Sequence, residues 1–140
     1  MIFFDSSALL PLFIQDKDSS KMKKIVRGDP SVAIWWGSTI ECLSAFARLR
    51  RERIIDSNVE QKIRGRLLDV RRHWTEIQPG DELKAVAHQL LLLHTFPAAD
   101  SLQLAAALLW ADKLPSGHQF VSLDTKLLEA ARKEGFIVAP

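Results

Sequence analysis

The sequence predicts an α/β fold in which a mostly parallel sheet is covered by helices on both faces. Three observations lead there. Short apolar runs without polar alternation, such as Ile2-Phe3-Phe4 and Val32-Ala33-Ile34-Trp35, describe strands buried on both sides. Segments with apolar residues at helical spacing lie between these runs, and no Asn-Gly or Asp-Gly dipeptide signals a hairpin. The 140 residues, 47% of them hydrophobic, suffice for a single domain over 1–140 with a full core.

The elements follow in order. Ile2-Phe3-Phe4 forms a first strand that stops abruptly at Asp5, and Ser6-Ser7 before Ala-Leu-Leu opens a helix. That helix covers 7–15, with Pro11 tolerable only near its first turn. A second covers 16–28, capped by Asp18 or Ser19 and stopped by Gly28-Asp29-Pro30. Residues 31–35 make the next strand. Gly37-Ser38-Thr39 leads into a helix over 40–53, where Ile40, Leu43, Phe46 and Ala47 recur on one side. Asp56-Ser57 caps a helix to about 73, Trp74 to Ile77 is a short strand, and 81–94 is a leucine-rich helix. Pro97 opens a helix to 112 that is apolar almost all round and therefore central. A strand over 119–123 halts at Asp124, a helix runs from Thr125 to Glu134, and Gly135 separates it from a last strand, Phe136-Ile137-Val138.

Composition excludes several classes. With 26% charged residues, six Gly and six Pro, neither disorder nor low complexity is indicated. No apolar run reaches the roughly 20 residues of a membrane span, and the N-terminus lacks a basic region and cleavage site, so a cytoplasmic protein is expected. The single cysteine, Cys42, supplies neither an intrachain disulfide nor a thiolate cage and reads as a core thiol. His73, His88, His94 and His118 show no metal-ligand spacing and read as surface or helix-end residues. The net charge is +2, unevenly spread: residues 48–72 hold nine basic side chains against four acids, leaving the remainder net negative.

Four acids stand out. Asp5 and Asp124 each follow an apolar strand and precede a helix, while Glu41 and Asp100 each lie in the first turn of a helix. In a parallel sheet all strand ends and succeeding helix starts face one side, so these carboxylates converge there. Each also has a local reading: Asp124 as an N-cap, Glu41 as the acid of a Ser38-x-x-Glu41 capping box, Asp100 as an acid favoured by the helix dipole. Converging carboxylates do not all stay ionised without a cation, and an oxygen-only set suits Mg²⁺ or Mn²⁺. Such an ion orients phosphate oxygens and activates water for phosphodiester hydrolysis.

The order Phe-Phe-Asp5-Ser-Ser-Ala-Leu, Thr39-x-Glu41, Ala98-Ala99-Asp100-Ser101-Leu102, then Val121-Ser122-Leu123-Asp124 resembles the PIN-domain family, and within it the VapC-type toxins of toxin-antitoxin pairs. The resemblance spans nearly the whole chain. It implies a three-layer α/β/α fold and a metal-dependent endoribonuclease, usually a homodimer, inhibited by a small antitoxin and acting on tRNA or ribosomal RNA. Asp5, Glu41, Asp100 and Asp124 match the family's acidic quartet, Asp5, Asp100 and Asp124 among them as metal ligands, with Ser7 and Ser122 as supporting hydroxyls. Arg50, Arg51 and Arg53 are candidates for RNA contact, and Phe13, Trp35 and Trp36 for the antitoxin surface. Pro97 departs from the family, where a basic or polar residue is common near the third acid.

Rival chemistries fit less well. A haloacid-dehalogenase-type phosphatase needs a second Asp two places after the first, where Ser7 stands; a dinucleotide binder needs a glycine-rich first turn. Two alternatives stay open at this stage: a PIN-like interaction module without activity, and an RNA-processing PIN nuclease without an antitoxin.

Overall fold

Five short strands, β1 (Ile2–Phe4), β2 (Val32–Trp35), β3 (Thr75–Ile77), β4 (Gln119–Val121) and β5 (Ile137–Ala139), all run parallel in the computed structural model, which describes residues Met1–Pro140. Their order is β3-β2-β1-β4-β5. The chain winds outward from β1 through β2 and β3, then returns to place β4 on the other side of β1. The reversal falls between β1 and β4, where Phe4 pairs with Val121. In open parallel sheets the crevice at such a switch point is where ligands bind.

Alternate side chains of each strand enter separate cores, because successive residues of a strand face opposite ways. Phe3, Ala33, Trp35 and Phe120 pack with helices α5 (Asp81–Leu93), α6 (Ala98–Trp110) and α7 (Thr125–Glu134). Ile2, Phe4, Val32, Ile34 and Val121 pack with α1 (Ser6–Leu9), α2 (Ser19–Gly28), α3 (Ser38–Arg51) and α4 (Ser57–Val70). Helix layer, sheet and helix layer together make the expected three-layer α/β/α arrangement. Helix α6 is the central one: its Leu104, Ala105, Ala106 and Ala107 are fully buried. No helix is long and apolar enough to cross a membrane.

Several boundaries differ from the sequence reading, each for a local reason. The first helix stops after one turn and continues as a 3-10 turn over Leu10–Leu12, since Pro11 has no N–H to extend an α-helix. Helix α2 begins at Ser19, whose hydroxyl accepts from the Asp16 N–H and so closes a turn over 16–19. Pro97 precedes α6 in extended conformation and does not serve as its first helical residue. In α3 the buried face is Ser38, Thr39, Cys42 and Phe46, and Ile40, expected inside, is 57% exposed.

The aromatic candidates separate. Phe13 and Trp35 belong to the two cores, whereas Trp36 is 43% exposed. His94, read as a surface or helix-end residue, ends α5, with its side chain buried and hydrogen-bonded to Glu134 at 2.7 Å. Gly37 lies so close to the Trp35 indole that a Cβ there would collide with it, which fixes the entry into α3 and hence the position of Glu41.

Candidate active site

The carboxyl ends of β1 and β4 lie side by side, and the Asp5 N–H donates to the Val121 carbonyl at 3.1 Å. Asp5 is therefore held at the end of a fully buried strand, and it is itself 4% exposed. Burial pushes its carboxyl up to about 7, an effect partly offset by the Ser7 hydroxyl. Ser7 Oγ donates to Asp5 Oδ1 at 2.7 Å and accepts from the Leu123 N–H at 2.9 Å. The Ser7 and Ser122 hydroxyl oxygens lie 3.3 Å apart. Ser122 also accepts from the Asp124 N–H at 3.0 Å. These two hydroxyls thus fasten the β1 end to the β4 turn.

Asp124 combines its local and its functional readings. Its Oδ1 accepts from the Leu127 N–H at 3.0 Å, capping α7, while its charge bears on Asp100. Asp100, half-buried in the first turn of α6, is raised to about 6, first by loss of water and then by repulsion from Asp124 and Glu41, with Lys126 opposing the rise. The two roles of Asp124 are separable: Asp124→Asn should leave thermal stability nearly unchanged, since Asn caps as well as Asp, whereas Asp124→Ala should cost about 1 kcal/mol. Denaturation midpoints of the two variants check this.

Glu41 is not the acid of a capping box. Gly37 occupies the N-cap of α3, and Ser38 turns inward to accept from Gln103 Nε2 at 2.9 Å. The Glu41 carboxylate instead receives Ser6 Oγ at 3.0 Å and Gln103 Nε2 at 3.0 Å. Gln103, only 1% exposed, ties α6 to α3 and orients Glu41; its Oε1 has no partner, so the amide is committed to donating. The sequence reading overlooked Gln103, Ser6 and Ser38. A signal existed: Gln103 is the one polar side chain between Leu102 and Leu108, three residues after Asp100 and hence on its face of α6. Gln103→Leu should lower activity about 10- to 100-fold, as removing an orienting hydrogen bond does, with the fold retained by circular dichroism.

The neighbouring thiol takes no part. Burial pushes Cys42 up to about 12, helped by the charges of Glu41 and Asp5, so no thiolate nucleophile forms.

Solved structures share this arrangement of elements. A toxin-antitoxin complex from Klebsiella pneumoniae superposes with a TM-score of 0.67 at 16% identity, covering 90% of this chain and 88% of the other. FitAcB from Neisseria gonorrhoeae gives 0.71 at 14% identity over 100% and 97% of the two chains. VapC20 from Mycobacterium tuberculosis, a sarcin-ricin loop cleaving toxin, gives 0.66 at 15% identity over 98% and 97%. The chain has a PIN-like fold. No family model matches the sequence, and no curated protein does. The likeness is therefore one of backbone geometry, at 14–16% identity.

Within this PIN-like fold the acids meet one test for a cation and qualify another. Their donors are all carboxylate oxygens; Asp5 is raised by burial, and Asp100 by burial together with the charges of Asp124 and Glu41. No three His, Cys, Asp or Glu side chains are grouped tightly enough to hold a metal ion by themselves. Any ion here would therefore need water or substrate oxygens to complete its shell.

The basic candidates lie elsewhere. Arg50 and Arg51 end α3 and Arg53 follows it, whereas Glu41 is in its first turn. At about 1.5 Å per residue, nine residues or more place these arginines roughly 14 Å or farther along the helix from Glu41. Arg50 is engaged by Glu60 at 2.8 Å.

Proposed function

We propose that this chain is a metal-dependent endoribonuclease acting as the toxin of a toxin-antitoxin pair. The observation that supports the reading is that the charges of Asp124 and Glu41 bear on Asp100 at the carboxyl edge of the sheet, where Asp5 follows β1. The toxin-antitoxin context comes from the structures that share the fold, one of them an RNA-cleaving toxin.

In this reading Asp5, Asp100 and Asp124 would surround Mg²⁺ or Mn²⁺, not all of them directly and some through water, and the ion when bound would supply a polarised phosphate and a water of lowered pKa. Ser7 donates to one oxygen of Asp5 and so fixes the orientation of its carboxyl. Glu41, positioned by Ser6 and Gln103, accepts a proton from the attacking water. Asp124, fixed by its capping bond, faces Asp100 across the open depression where a phosphodiester would lie. A small antitoxin would cover this edge, and the exposed Trp36 offers it an apolar contact. A homodimer is part of the same proposal, with the exposed Leu92 and Leu93 of α5 as contributors.

Incubation of total bacterial RNA with purified, antitoxin-free protein tests the reading. Discrete cuts with 5′-phosphate and 3′-hydroxyl ends, present in Mg²⁺ and absent with chelator, are the expected result. Intact RNA with folded, unbound protein would favour the non-catalytic interaction module.

A further inference from the structure

Resting on the ribonuclease reading, we propose that α7 carries the RNA strand away from the acidic site, with Lys126 and Lys133 binding successive parts of its phosphate backbone. Two hollows make this track. The first is an open depression of about 510 Å³ bordered by Pro97, Asp100, Leu123, Asp124, Thr125 and Lys126. The second, about 290 Å³, is lined by His94, Thr95, Lys126, Glu129 and Lys133. Lys126 belongs to both walls, so a chain leaving the first passes over its ammonium into the second.

The spacing suits a polyanion. Lys126 and Lys133 are seven residues apart, two turns of helix, which puts them on one face and about 10 Å apart along the axis. Lys126 bears electrostatically on Asp100, so a phosphate approaching the acids meets a cation at their margin. Lys133 is 63% exposed and pairs at 3.2 Å with Glu129, itself 62% exposed. Such an exposed pair is weak and leaves Lys133 ready to exchange its partner for a phosphate. The far wall is rigid, because the buried side chain of His94 is held by Glu134 and Thr95 follows it directly. The arginines of α3 do not offer this continuity, since they line a separate hollow at 50–57 beyond the opposite end of that helix. Glu129 is the one acid in the second hollow and should repel the strand.

The test is fluorescence anisotropy with a labelled single-stranded oligoribonucleotide of mixed sequence, in magnesium, using full-length protein carrying Asp100→Asn so that the RNA stays intact. In that background Lys126→Ala with Lys133→Ala should weaken binding at least about tenfold at low salt. Removing two phosphate-binding cations should reduce the slope of log K against log salt by about 1.4 for a single strand. Glu129→Gln should tighten binding, and Arg50→Ala with Arg51→Ala and Arg53→Ala should leave the slope unchanged. Both lysines are exposed, so the variants fold. An unchanged slope in the lysine variant, or a reduced one in the arginine variant instead, overturns the track while leaving the ribonuclease reading in place. Absence of RNA binding before either change would overturn that reading and the track with it.

Discussion

Asp100→Asn and Asp5→Asn should each reduce RNA cleavage at least about a thousandfold, equivalent to about 4 kcal/mol of barrier. Asn preserves the shape of Asp and removes the charge, so the variants separate electrostatics from packing. Asp100 is raised by Asp124 and Glu41, which means that its negative charge is part of a shared field in a depression open to substrate. Replacing it by an amide lowers the affinity of that field for a divalent cation. Asp5 lies beneath, and the amide still accepts from Ser7, so the seam between β1 and β4 persists. Rates on one RNA cut site, with circular dichroism to show native folding, make the comparison. Wild-type rates in both variants would remove the acids from the chemistry.

The second large effect is on stability against pH. In chelator, the wild type should become less stable as pH rises from 4 to 8. The carboxyl of Asp5 titrates near 7 in the folded protein and near 3.8 in the unfolded chain, so between these values the folded form holds the extra proton. Stability then falls with rising pH at up to about 1.4 kcal/mol per unit. Across the roughly three units involved, the loss is on the order of 4 kcal/mol, complete once pH has passed the folded value. Asp100 contributes in the same direction, more weakly because solvent reaches it and screens its charge.

Asp5→Asn removes the buried charge, so the variant should exceed wild type at pH 8 and match it near pH 4. At about 2–4 °C per kcal/mol, the difference in thermal midpoint at pH 8 should approach 10 °C. Millimolar Mg²⁺ should raise the wild type and have a smaller effect on Asp5→Asn, because an ion binding only the folded state stabilises it by mass action. Superimposable midpoint-against-pH curves for wild type and Asp5→Asn would refute this account.

How much was legible beforehand depended on whether a signal was local. Asp5 was readable because a carboxylate directly after three apolar residues has no surface explanation, and the structure leaves it 4% exposed. Asp124 was readable as both cap and site residue, and it serves both geometries through different interactions. Glu41 shows the reverse. Its spacing from Ser38 matched a capping box, yet Gln103, sixty-two residues away, reaches both side chains. Local propensity predicts a bond only when no distant partner competes for it. His94 stands at a helix end, as its position implies, but its bond to Glu134 has no local signal, since Glu134 is forty residues farther along the chain.

The succession of strands and helices, the parallel sheet and the candidacy of the four acids follow from neighbouring residues, because apolar period and the polar breaks after strands are local properties. The strand order that sets the end of β1 beside that of β4, the service of Gln103 to Glu41, and the position of Lys126 against Asp100 arise from long-range contacts. Those depend on which strand ends and helix faces meet across long stretches of chain, and burial and charge there act through space.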